Sequence, residues 1–252
     1  DCLVIMPAFN EARTIAPVID AIRSTHPELD VLVVDDGSRD DTAGMARRHG
    51  AMVVSHPFNL GYGAGLQTGF KFADRNGYDI IVQMDADGQH DPASIPQLLA
   101  PLRAGSADVV IGSRFIRASG YQMGATKSVG RVFFRNVLLA AGGPRISDPT
   151  SGFQALSRVV FRFCCSDFFP FDFPDIDVLL LLARAGFRIV EVPVEMAPSP
   201  PARTAMHAGF RAVYYVYKML LSTFRSRFIP RLERGMPAAL LEPTGSAKGE
   251  GP

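Results

Sequence analysis

The segment Gln83 to Asp91, QMDADGQHD, places two carboxylates two residues apart, Asp85 and Asp87, with the amide of Gln89 and the ring of His90 just beyond. It follows the apolar run Ile80, Ile81, Val82, so the cluster sits at the end of a buried strand. Two carboxylates and an amide oxygen suit a hard divalent cation, Mg²⁺ or Mn²⁺, which completes its shell with substrate phosphate oxygens. The competing reading is a polar loop after a strand. His49, His56 and His207 have no metal-ligand spacing, which leaves His90 as the histidine worth testing.

Two further polar clusters share this setting. PAFNE (7–11) follows the apolar run Leu3 to Met6, and DDGSRDDT (35–42) follows Val31 to Val34. Strands are expected at Leu3 to Met6, Val31 to Val34, Ala51 to Ser55, Tyr78 to Met84 and Asp108 to Ile111. Helices are expected between them, over Asn10 to Ser24 with Asn10 as N-cap, over Thr42 to His49, and from the glycines at 61, 63, 65 and 69. This alternation predicts an α/β fold with a mostly parallel sheet and helices on both faces. In such sheets ligands bind outside the carboxyl ends of the strands, where all three clusters fall.

Beyond Gly112 the pattern changes. Ser128 to Ala141 reads as a helix with Arg131 and Arg135 on one face. ISDPTSGFQ (146–154) is rich in turn residues, Asp175 to Ala185 resumes a helix, and Phe187 to Val194 is a strand. His207 to Phe228 is a long amphipathic helix with Arg211, Lys218, Arg225 and Arg227 beside its aromatic residues. It suits either an anionic membrane surface or packing on its own domain or a second copy. From Pro237 the composition predicts a disordered tail.

The chain has 252 residues, 47% hydrophobic, with a net charge of +1, so no global field points to nucleic acid. The three cysteines, two of them adjacent, make neither a disulfide framework nor a zinc site and suit a reducing compartment. No run approaches the roughly 20 apolar residues of a membrane span. The chain begins at Asp1 rather than at methionine, so preceding residues stay open. The glycines from 61 to 69 lack the GK[ST] of a P-loop and do not follow the first strand, which argues against ATPase and dinucleotide readings.

Taken in order, MPAFNE (6–11), VDDGSRDDT (34–42), NLGYGAGLQTG (59–69), DADGQH (85–90), GSRF (112–115), DPTSGF (148–153) and EVPVEM (191–196) resemble glycosyltransferase family 2, in its polyprenyl-phosphate mannosyltransferase-like branch, over residues 3 to 221. The resemblance implies the GT-A fold as a single domain over 1–230, with a nucleotide-sugar half (1–115), an acceptor half (116–204) and the amphipathic helix (205–230). It implies inverting transfer of a hexose, mannose or glucose, from a GDP- or UDP-linked donor, with Mg²⁺ or Mn²⁺. Pro7, Phe9 and Glu11 then wall the nucleoside. Phe9 stands where the family more often has tyrosine, and Asp36 bonds base or ribose. The alternative for Asp35 and Asp36 is turn capping.

Gly61, Asp85, Ala86, Asp87 and Gln89 complete the donor site of that reading, with Asp85, Asp87 and Gln89 as metal ligands. Asp87 and Arg114 are the catalytic candidates on the donor side, the arginine as a second positive group for phosphate or else a surface residue. Asp175 is either the general base for a hydroxyl acceptor or, for a phosphate acceptor, a structural residue at a helix N-terminus. Arg131, Arg135 and Arg203 are the acceptor-side candidates, against a solvated helix face for the first two. Members that use a polyprenyl phosphate usually carry arginine after the EVPV strand, where this chain has proline, with Arg203 nearby. The acceptor expected is a lipid phosphate or a glycan. The enzyme would act peripherally at a cytoplasmic membrane face, on the membrane surface or a membrane-protein partner. Sugar-phosphate nucleotidyltransferase and a non-catalytic sugar-nucleotide-binding module are the readings from other classes.

Overall fold

The computed structural model describes residues 1–116, 125–167, 169–170, 174–197 and 221, with backbone alone over 125–131. In chain order the elements are β1 (Cys2–Ala8), α1 (Ile15–Thr25), β2 (Asp30–Asp35), α2 (Thr42–Arg48), β3 (Met52–Ser55), α3 (Tyr62–Arg75), β4 (Ile80–Gln83), α4 (Ile95–Arg103), β5 (Val109–Ser113), α5 (Ala125–Ala140), β6 (Gln154–Ser157), α6 (Arg158–Cys164), α7 (Ile176–Arg184) and β7 (Ile189–Pro193). The expected helix 207–228, the tail from 237 and Arg203 lie outside the described residues.

The sheet order is β3-β2-β1-β4-β6-β5-β7. Strands β1, β2, β3 and β4 are mutually parallel, as are β5 and β7, whereas β6 runs antiparallel to both β4 and β5. Both faces are covered. Leu3 and Ile5 of β1 face a layer with Leu66, Phe70 and Leu179, while Val4 and Met6 face one with Ile19, Ile22 and Leu98. Successive side chains of a strand point to opposite faces, so an unbroken apolar run is what a two-sided core requires. Helix α3 lies close on β1 because Gly69 has no side chain. A Cβ there would stand 2.4 Å from Ile5 Cγ2.

The single antiparallel strand has a consequence for the site. Gln154, the first residue of β6, pairs with Gln83, the last of β4. The DPTSGF segment that leads into β6 therefore arrives at the same edge as the loops that leave β1, β2 and β4.

Several elements differ from expectation, among them α6, which has no expected counterpart. Helix α1 begins at Ile15, not Asn10, with Thr14 at its N-cap. Asn10 has φ 58, a left-handed conformation that asparagine tolerates better than most residues. Its N–H donates to Ser38 Oγ (2.9 Å) and its Oδ1 accepts from Arg39 N (2.8 Å), so it ties the first loop to the second instead of capping a helix. Helix α4 has no expected counterpart, because Pro96 and Pro101 interrupt its pattern. Pro96 falls within the first turn, where the missing N–H costs nothing. Strand β6 is four residues long, too short for its alternation to be visible.

Gly37 combines φ +70 with a neighbour, since a Cβ there would lie 2.5 Å from the backbone carbon of Phe58. Gly37→Ala is therefore expected to cost about 2 kcal/mol or more. At this chain length that lowers the melting temperature by roughly 4–8 °C. Circular dichroism melting checks this, and an unchanged midpoint would contradict the packing described here.

Candidate active site

The loops after β1 and β2 are stitched together by side chains. Glu11 N donates to Thr42 Oγ1 (2.8 Å), and Ala12 N to Asp40 Oδ2 (3.1 Å). The Glu11 carboxylate accepts from Thr14 Oγ1 (2.5 Å). Pro7 lies against α3 at Gly65, where a Cβ would come within 3.3 Å of the proline ring. Phe9 is 42% exposed, an uncovered ring at the rim of the edge.

Asp35 and Asp36 are both buried. Asp36 Oδ1 accepts from Leu60 N (2.8 Å) and from His56 Nδ1 (2.7 Å), and Oδ2 accepts from Gly61 N (2.9 Å). The other ring nitrogen of His56 meets Thr68 Oγ1 on α3 at 2.9 Å. Asp36, expected as the contact to base or ribose, is thus occupied by the protein itself, and it fixes the loop that starts α3. Asp35 Oδ1 accepts from Ser38 N (3.1 Å), the turn-capping alternative.

The carboxylates of DADGQH are held in different ways. Asp85 Oδ1 accepts from the Tyr62 hydroxyl (2.9 Å), whose oxygen accepts from Gln83 Nε2 (3.2 Å). Asp85 N donates to His90 Nδ1 (3.1 Å), and His90 Nε2 lies 3.6 Å from Asp85 Oδ2. The His90 ring stacks on Phe153, with centroids 4.9 Å apart. Burial lowers the pKa of His90, against the opposing pull of Asp85 and Asp87. His90 therefore serves as a neutral support under the loop. Burial pushes the Tyr62 hydroxyl well above its ordinary range, and the neighbouring Asp85 charge adds to this. Asp87 Oδ1 accepts from Gln89 N (3.0 Å), and the Gln89 amide nitrogen closes on Asp87 Oδ2. Ala86 is buried between the two carboxylates, and Gly88 takes φ 78 to turn the chain.

Among the described residues no group of three or more histidine, cysteine, aspartate or glutamate side chains is placed to hold a metal ion. The donor set at this edge is two carboxylates and one amide. That fits a hard cation which takes its remaining ligands from phosphate oxygens and water. Gly152 makes room beside Asp85, since a Cβ there would fall 2.8 Å from Asp85 Oδ2. Gln89 contributes its amide nitrogen to Asp87, so in this structure it orients the carboxylate expected to be its fellow ligand.

Arg114 was expected as a positive group for phosphate. Its Nε and Nη2 both donate to Asp148 at 2.6 Å, and Asp148 is fully buried. The guanidinium is therefore a paired cation whose charge is already compensated. The pair is anchored in turn by Glu191 of β7. Glu191 Oε1 accepts from Asp148 N (2.9 Å) and Ser147 Oγ (2.9 Å), and Oε2 accepts from Ser147 N (2.7 Å). Ser151 Oγ donates to the Gly112 carbonyl (2.6 Å). Tyr62, Asp148, Gly152 and Glu191 all lie inside motifs legible in the sequence, but no local pattern reveals their partners.

On the acceptor side, Asp177 Oδ1 accepts from Asp175 N (3.1 Å) and Val178 N (2.9 Å) and so satisfies the start of α7. Asp175 stands at the N-cap position without a capping bond from its own side chain, and its charge acts on Tyr62. One aspartate is thus structural, and the charge of the other acts on Tyr62. Arg135 is half-buried in α5, and the side chain of Arg131 lies outside the described residues. A groove of about 630 Å³ separates Arg13, Thr14 and, on α1, Pro17 and Val18 from Asp87, Gln89 and Glu195. Neither Phe9 nor Asp36 lines it.

Comparison with known proteins is consistent with this arrangement. The model of the family described as Glycosyl transferase family 2 matches residues 3–163. An undecaprenyl-phosphate mannosyltransferase of Micrococcus luteus is 34% identical over 82% of this chain and 88% of its own length. A polyprenol monophosphomannose synthase of Mycolicibacterium smegmatis is 32% identical over 76% of each chain. The crystal structure of glucosyl-3-phosphoglycerate synthase from Mycobacterium tuberculosis with Mn²⁺ and UDP-glucose superimposes with a TM-score of 0.67, at 25% identity, over 90% of this chain and 78% of that one. The chain belongs to glycosyltransferase family 2, with the GT-A-like fold of a transferase.

Proposed function

We propose that this glycosyltransferase moves a hexose, mannose or glucose, from a GDP- or UDP-linked donor to polyprenyl phosphate with inversion, using Mg²⁺ or Mn²⁺. The observation that carries the reading is the placement of Asp85 and Asp87 on the sheet edge that PAFNE and DDGS also reach, in a chain whose relatives are named for polyprenyl-phosphate mannosyl transfer. The divalent cation, when bound, neutralises negative charge that grows on the leaving diphosphate. Asp87, with Gln89 bonded to it, and Asp85, fixed by Tyr62, are the residues that would hold it. Pro7, Phe9 and Glu11 bound the nucleoside. Gly61 lets the chain pass close by, and Arg114 acts as an oriented, paired guanidinium at the rim.

A polyprenyl phosphate is already an anion and reacts without a base. Asp175, beside Tyr62, supports a second reading in which the acceptor is a sugar hydroxyl and Asp175 takes its proton. Arg131, Arg135 and Arg203 remain the proposed contacts to an acidic acceptor head group. No described helix is long and apolar enough to cross a membrane. A lipid-phosphate acceptor would bring the enzyme to a membrane surface, and the cytoplasmic face is the proposed side.

The donor is found by thermal shift with Mn²⁺ and a panel of GDP- and UDP-sugars. A donor at a hundred times its Kd stabilises by about 2.7 kcal/mol, a rise of roughly 5–10 °C here. EDTA should abolish the rise, and no shift with any member of the panel would sink the donor assignment. Asp87→Ala is expected to lower hexose transfer to undecaprenyl phosphate by about 100-fold or more while the melting temperature stays within a few degrees. Radiolabel transfer measures it, and full activity would refute the role of Asp87. Asp175→Asn separates the acceptors. Transfer to a lipid phosphate should survive within a few-fold, whereas a hydroxyl acceptor would lose roughly 100-fold or more.

A further inference from the structure

At the sheet edge the Tyr62 hydroxyl of α3 donates to a metal-side carboxylate, Asp85. Its bonding is directional. The Gln83 Nε2 amide donates to the phenolic oxygen, so the single phenolic proton is committed to Asp85 Oδ1. Tyr62 is also the first residue of α3, and the position of that terminus is set by Asp36, which holds Leu60 N and Gly61 N. Gly152 leaves room beside Asp85 Oδ2, because a Cβ there would stand 2.8 Å away. Asp85 is thus tied at one oxygen and bounded at the other.

We propose that Tyr62 is a positioning residue for donor binding. Its hydroxyl fixes the Asp85 carboxylate in the orientation that receives the cation–diphosphate group, and the Asp36–Gly61 clamp delivers it there. The inference rests on the function proposed above. Groups that orient a metal ligand through a hydrogen bond commonly change metal affinity 10–100-fold when removed. Tyr62→Phe removes one oxygen and keeps the ring. The Asp85 side chain is 35% exposed, so water replaces the donor it loses, while the buried Gln83 Nε2 loses its acceptor and stability falls modestly.

The test is calorimetric titration of the full chain with UDP and with GDP, each in Mn²⁺ and in EDTA, for wild type and Tyr62→Phe. The expected result is a roughly tenfold or greater loss of affinity in Mn²⁺, with affinity in EDTA unchanged and the melting temperature lowered by no more than roughly 10 °C. Unchanged affinity in Mn²⁺ would overturn the proposal. So would an equal loss in Mn²⁺ and EDTA, which would mark Tyr62 as a packing residue only. A wild-type protein that shows no Mn²⁺-dependent binding of either nucleotide would instead overturn the donor reading itself, and the role of Tyr62 with it.

Discussion

The buried Asp36 carboxylate is the constraint on which the donor side of this molecule depends. A carboxylate taken out of water persists as an anion only where hydrogen bonds replace its hydration. Asp36 obtains them from Leu60 N, Gly61 N and His56, all on the segment between β3 and α3. His56 extends the grip to Thr68, two turns into α3. The start of α3 is therefore determined by a residue at the end of β2. Because Tyr62 is the first residue of that helix, the position of its hydroxyl against Asp85 follows. A polar contact at the second strand thus sets the geometry of the carboxylate at the fourth. Truncating one partner of such a buried charge commonly costs several kcal/mol, because the other group is left without compensation.

The other half of the edge rests on β6. A fold of parallel strands alone would carry the DPTSGF turn to the opposite end of the sheet. The antiparallel strand reverses the direction, so the residues before it, Asp148 to Phe153, land beside DADGQH. Three contacts then become possible. Gly152 yields space to Asp85, Phe153 supports His90, and Asp148 captures Arg114. Glu191, on β7 at the far side of β5, closes the arrangement by accepting from Ser147 and Asp148. The motifs DPTSGF and EVPVEM are far apart in sequence and meet through a single carboxylate.

What the sequence disclosed depended on how local the signal was. Buried strands with unbroken apolar runs, such as Leu3 to Met6, were legible because burial on both faces leaves no other pattern. The shared edge followed from the alternation of strand and helix. Strand β6 was not legible, because four residues carry too little periodicity, and α4 was masked by its prolines. Within the site, residue identity was readable but partnership was not. Arg114 looks like a free cation until Asp148 is placed 34 residues away. Asp36 reads as a ligand contact, and nothing local shows that its oxygens also accept from Leu60, Gly61 and His56. Tyr62 lies in the motif NLGYGAGLQTG, but nothing local ties its hydroxyl to Asp85, 23 residues on.

The compensation of charge around DADGQH bears on how such a site would operate. Arg114 is neutralised by Asp148, and His90 is held uncharged by burial. These two groups therefore offer a diphosphate little positive charge, while the exposed Arg13 lines the groove that Asp87 also lines. Two carboxylates repel a bare nucleotide and, without a third acidic, histidine or cysteine ligand among the described residues, hold a bare cation weakly. Cation and diphosphate together remove both objections, since each supplies the charge that the other lacks. Under the function proposed here, binding of the two must then be strongly coupled, each raising the affinity for the other by the same factor. Such coupling is sensitive to the separation and orientation of the carboxylates. That is the physical reason for Tyr62, Gln89, His90 and Gly152 to constrain two side chains so closely at an edge otherwise made of loops.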